Sequence, residues 1–227
     1  MRSMKPLMLA ATLAVSSQAS AVSVVSGQTN VLLDTPLLAS VGLSLSGVGG
    51  PVIAPGNLGP DSVAFPINGR DAAAPALPTT FSFTAGTLAP FSGTIEHTGT
   101  VLFNGGALEV GNFTIGFDAG RAGAATSGFF VADNVTFAGV PLFDVGIPSA
   151  LTATGTWLTV AANLLVSSEL AGVLGNADLT GVDVGDALVE AVAVPEPGTL
   201  SLVLAGLLLG GIAVSRRSVR TAAASGR

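Results

Sequence analysis

From residue 80 onward the chain falls into short runs of apolar, β-branched and aromatic residues, many alternating with polar ones. These runs are Thr80–Ala85, Gly93–Thr98, Thr100–Phe103, Ala107–Val110, Asn112–Phe117, Phe129–Phe137, Leu151–Val166 and Ala187–Val194. Alternation with a period of two places successive side chains on opposite faces of a strand, and Gly, Asn or Asp separates the runs at intervals of about 8–12 residues. The pattern predicts an all-β body, an antiparallel sandwich or barrel. Asn104-Gly105-Gly106 is the best hairpin turn, because Asn and Gly accept positive φ. One helix is expected near 168–174, capped by Ser167 or Ser168, with Glu169 in its first turn and Gly175 at its end. The Pro- and Gly-rich stretch 47–78 reads largely as loop or extended edge.

Ten of the eleven Phe lie between positions 81 and 143, and the other is Phe65. Phe81/Phe83 and Phe113/Ile115/Phe117 have the spacing of one sheet face, which predicts a core built on Phe. Trp157, amid apolar and Thr residues, is expected to join that core.

Both ends of the chain break the β pattern. Arg2 and Lys5 precede the apolar run Leu7–Val15, and Ala19-Ser20-Ala21 follows it. A basic start, a short apolar stretch and small residues at the cut make a secretory signal peptide, residues 1–21, with signal peptidase cleaving after Ala21. As a helix the nine apolar residues would reach only about 14 Å, too short for a ~30 Å hydrocarbon core. At the other end, Pro195-Glu196-Pro197 interrupts the body, so the expected boundary of the extracellular β-rich domain is 22–194. Thr199–Val214 is a charge-free apolar run that would span about 24 Å as a transmembrane helix. Arg216 and Arg217 then act as a membrane stop within the basic tail 216–227, holding that end on the cytoplasmic side.

Composition narrows the function. Only 10% of the 227 residues are charged, and there is neither Cys nor Tyr, one His and one Trp. Thirteen acidic residues face only Arg70 and Arg121 between Val22 and Val194, so the body has no basic footprint and nucleic acid is excluded as a partner. Thiolate chemistry is excluded with cysteine. The single His97, next to Glu96 in an expected strand, reads as a solvent-facing strand residue. No Gly-x-Ser-x-Gly elbow marks a nucleophilic serine. Asp178, Asp183 and Asp186, with Asn176, form a Gly-containing acidic loop whose oxygens suit Ca²⁺, but the EF-hand spacing is not met. Solvated acidic turns are the preferred reading, with no cofactor and no enzymatic activity expected.

Pro195, Glu196 and Pro197, the apolar run 199–214 and the Arg216–Arg217 cluster together resemble the PEP-CTERM sorting signal of Gram-negative bacteria, across about the last 30 residues. The resemblance implies recognition by exosortase, an inner-membrane intermediate with transient membrane contact, and processing near the Pro-Glu-Pro motif. Release to the cell surface or to an exopolysaccharide matrix follows, with a structural or adhesive biofilm role. The alternatives are a Ca²⁺- or glycan-binding surface module, a hydrolase of matrix polymer, and a permanently anchored single-pass protein.

Overall fold

The structure, a computed structural model, describes residues 21–196. Ala19, Pro197, the run 199–214, Arg216 and Arg217 lie outside the described residues, as does the leader up to Ser20. The first half of the fold comprises β1 (Ala21–Leu33), α1 (Thr35–Ser40), β2 (Leu45–Gly49), β3 (Val63–Pro66), β4 (Ser82–Thr84), β5 (Leu88–Ser92) and β6 (Ile95–Glu96). It continues with β7 (Thr100–Phe103), β8 (Leu108–Gly111), β9 (Thr114–Ala122), β10 (Thr126–Asp133) and β11 (Val140–Gly146). The last elements are β12 (Ala150–Ala153), β13 (Trp157–Val166), α2 (Ser168–Val173) and β14 (Asp183–Pro195). The all-β expectation holds.

Eleven strands form one curled antiparallel sheet with the path β5-β4-β1-β14-β13-β11-β10-β9-β6, with β3 added to β1 and β12 to β13. A separate three-stranded sheet runs β2-β7-β8. The long sheet closes on itself. Ile67, just past β3, donates its N–H to Gly27 of β1 at 2.9 Å and forms a bridge with His97, just past β6. Asn68 N–H to the Glu96 carbonyl at 2.7 Å and Thr98 N–H to the Pro66 carbonyl at 3.3 Å flank that bridge. This seam covers the edges of β3 and β6, while β5 and β12 keep unpaired outer sides.

The strongest pairing in the barrel is between β1 and β14, from Val22↔Pro195 to Leu33↔Gly185. No β-run is predicted at 22–33, where Gly27-Gln28 interrupts the apolar pattern; in the structure a register shift falls between Val24 and Ser26. Gly27 makes that approach possible. Its φ is +128°, and a Cβ there would collide with the Glu190 carbonyl oxygen.

Within the 47–78 stretch the structure adds the end of β2, β3 and the bridges Ile53↔Ala64 and Ile67↔His97. That stretch is fastened to the barrel by Asn30, whose Oδ1 accepts from the Asn57 N–H at 2.9 Å and whose Nδ2 donates to Glu190 at 2.9 Å. The run Leu151–Val166 divides into β12 and β13 around a turn in which the Thr154 N–H donates to the Trp157 carbonyl at 2.9 Å. The Asn104–Gly106 turn joins β7 to β8, with φ of +54°, +70° and +87°. The helix α2 is capped by Ser167, whose hydroxyl accepts from the Leu170 N–H at 3.0 Å.

The core divides into two clusters, one around Phe65, Phe103, Phe113 and Leu164, the other around Val22, Phe81, Phe83 and Leu158. A Phe core is therefore present. Phe117 departs from it: it is 42% exposed and packs edge-on against Phe91, with centroids 4.9 Å apart. Trp157 is not core either. It is 52% exposed, because it occupies the outward-facing first position of β13 while its neighbour Leu158 is buried.

Candidate functional site

Two places combine unusual chemistry with defined geometry: the junction where the chain leaves the barrel, and the barrel interior. At the junction the ladder does not stop before the proline motif, as the sequence suggests. Pro195 pairs with Val22, and Glu196 donates its N–H to the Ala21 carbonyl at 2.9 Å. Proline can end a strand here because the Glu196 N–H, not its own missing one, completes the ladder. The Glu196 carboxylate accepts a hydrogen bond from Ser23 Oγ at 2.6 Å. The expected signal-cleavage residue Ala21 and the motif residues Pro195 and Glu196 thus sit side by side, at the same end of the barrel.

In the interior, alternate residues of each strand turn inward. Thr29, Val31 and Leu33 on β1 and Leu158, Val160 and Ala162 on β13 face a cavity of about 120 Å³. His97 faces it too. The solvent-facing expectation for His97 is wrong: the residue is 3% exposed, because the bridge to Ile67 turns it into the closing seam of the barrel. Its Nδ1 lies 2.9 Å from the Phe113 carbonyl, which can only accept, so Nδ1 carries the proton. Nε2 is then bare and accepts from Thr29 Oγ1 at 2.7 Å. Burial pushes the pKa of the ring down to about 4, against the smaller opposing effect of the Phe113 carbonyl. His97 is a neutral imidazole with both nitrogens occupied. Glu96, beside it, is also buried and accepts from Thr114 Oγ1 at 2.6 Å.

The acidic candidates remain apart. Asp178 lies exposed in a single 3₁₀ turn started by Asn176, whereas Asp183 begins β14 and is engaged by Asn163 and by the Gly185 N–H at 3.1 Å. Asp186 pairs in the ladder with Leu32 and Asn163. Among the described residues, no three His, Cys, Asp or Glu side chains converge as a metal site would require. No described helix is long and apolar enough to cross a membrane.

Residues 193–217 match the family model of the PEP-CTERM protein-sorting motif. The tail carries this sorting signal. The match begins at Ala193, inside β14, so the sorting motif and the barrel share the residues Ala193–Pro195. The PEP-CTERM motif implies an exported protein sorted by exosortase to the cell surface of a Gram-negative bacterium. No curated protein matches the chain. Among solved structures, the C-terminal domain of HtaA from Corynebacterium glutamicum is similar at 16% identity and a TM-score of 0.44, over 76% of this chain and 99% of that one.

Sequence reasoning missed the buried Glu96–His97 pair and the Ser23–Glu196 contact. The only signal for the first was an ionisable dipeptide next to Ile95 in an expected strand. For the second there was none, since 173 residues separate the partners.

Proposed function

We propose that this is an exported, non-enzymatic β-barrel protein. It passes through an inner-membrane intermediate, is cut by exosortase near Pro195–Pro197, and is released to the surface or exopolysaccharide matrix as a structural or adhesive component. The observation that carries this reading is that the sorting motif starts within the last strand. The last described strand runs into the motif as far as Pro195, so a cut just beyond it leaves every described strand intact. The absence of a catalytic function is supported by the state of His97, which is neutral, buried and held on both nitrogens, leaving neither nitrogen for general acid–base work. The sparsely charged surface suits residence among hydrated neutral polymer.

Mass spectrometry of material released by exosortase-positive cells should find a C-terminus within or just beyond Pro195–Pro197. Finding only membrane-bound chain ending at Arg227 would overturn the processing step. Deleting exosortase should convert the released form into the membrane-bound one.

The exposed Trp157 favours a second reading, a glycan-binding surface. An indole face on a barrel wall, beside the turn residues Thr154 and Thr156, is a stacking platform for a sugar ring. Trp157→Ala should reduce retention on matrix polysaccharide by about tenfold, equivalent to ~1.4 kcal/mol, without changing thermal stability. Unchanged retention in affinity electrophoresis would eliminate this reading.

A further inference from the structure

We propose that the barrel interior is a binding site for a small, neutral, apolar molecule on the scale of an aromatic ring or a short alkyl chain. The inference is independent of the sorting reading. Protein interiors are close-packed, and small barrels ordinarily fill their lumen with side chains. Here the inward positions of β13 and β14 carry Ala162 and Ala187, and a cavity of about 120 Å³ remains, lined from both core clusters. Dry apolar cavities of about 150 Å³ take up benzene or xenon.

The chemistry of the walls selects the ligand class. The polar side chains that reach the cavity are Thr29, His97 and Ser127. Thr29 and His97 bond to each other, and Ser127 donates to the Val145 carbonyl at 2.8 Å. None of the three has a spare hydrogen-bond donor to offer, and the imidazole carries no charge. A charged ligand would lose its hydration without replacement, whereas an apolar one gains dispersion contacts that the empty space forfeits.

The cavity also has a way in. Its lining reaches the surface at Leu151, which is 48% exposed, beside Pro148 and Leu88. Around Leu151 the wall beside β13 is the short strand β12, which takes the place of β11 there. The outer strands β5 and β12 do not pair; a single bond, Gly86 N–H to the Ala153 carbonyl at 2.6 Å, joins the β4–β5 turn to β12. Leu88 holds a φ of +63°, a left-handed conformation unfavourable for a branched side chain, and it does so at this opening.

The test uses the full chain in lipid nanodiscs, with benzene as the neutral probe and benzoate as its charged counterpart. At a hundredfold excess over its Kd, benzene should raise Tm by roughly 5–10 °C, and benzoate should leave it unchanged. Ala162→Leu and Ala187→Leu, which fill the cavity from two walls, should each weaken the benzene response at least tenfold. A wild-type chain whose Tm ignores benzene would overturn the proposal. So would equal responses to benzene and benzoate, or a response that survives in whichever filled variant folds.

Discussion

Replacing Asp133 by alanine is expected to lower the unfolding free energy by about 3–5 kcal/mol, enough to leave a marginally stable domain largely unfolded. Asp133 is completely buried at the end of β10. Its Oδ1 accepts from the Gly111 N–H at 2.6 Å and the Val135 N–H at 3.1 Å, and its Oδ2 accepts from the Phe137 N–H at 2.6 Å. These bonds join the end of β8, in the small sheet, to the β10–β11 turn in the large one. Alanine would leave three backbone donors without their acceptor, and a buried unsatisfied donor costs about 1–3 kcal/mol. Asp133→Asn should be milder, at about 2 kcal/mol, because one oxygen can still serve two donors while the amide nitrogen faces the Phe137 N–H. Urea unfolding followed by circular dichroism measures both. A loss below 1 kcal/mol for the alanine variant would show that the junction does not hold the two sheets together.

Acidification should produce a second large effect through His97. The unfolded ring has an ordinary pKa of 6.5, and in the barrel burial lowers it to about 4. Above pH 6.5 both states are neutral and the residue makes no pH-dependent contribution. Between pH 6.5 and 4 the unfolded chain takes up a proton that the folded chain refuses, so stability falls as pH falls. Below about 4 both states are protonated and the loss levels off. At about 1.4 kcal/mol per pH unit, the total reaches about 3 kcal/mol. Unfolding midpoints across that range measure it, and His97→Gln should flatten the curve between pH 6.5 and 4.5. NMR of the folded protein should find the ring still neutral at pH 5, with the proton on Nδ1. A ring that titrates near 6.5 would mean that the seam opens to water.

Much of the fold was legible because local chemistry and tertiary structure agree there. Alternation gave the strand class, Asn104–Gly106 gave a hairpin whose positive φ values only those residues accept readily, and Ser167 gave the start of α2. The failures share a cause, which is that long-range pairing decides what a local pattern cannot. Gly27 looks like a break, yet it lets two neighbouring strands approach. His97 looks solvent-facing because nothing nearby announces that Ile67 will bridge to it from 30 residues away. Trp157 is as apolar as its neighbours, and the outward phase of β13 alone exposes it. The site was legible only in part. The tail motif could be read directly, since its three features are consecutive in the chain, but a cavity is a property of walls drawn from many strands.

The pairing of Val22 with Pro195 has a consequence for survival outside the cell. Exopeptidases need a few residues of slack chain to thread into their active clefts. Once trimmed to this point, the barrel would present two termini zipped to one another, and neither could be gnawed without first pulling apart the longest ladder in the molecule.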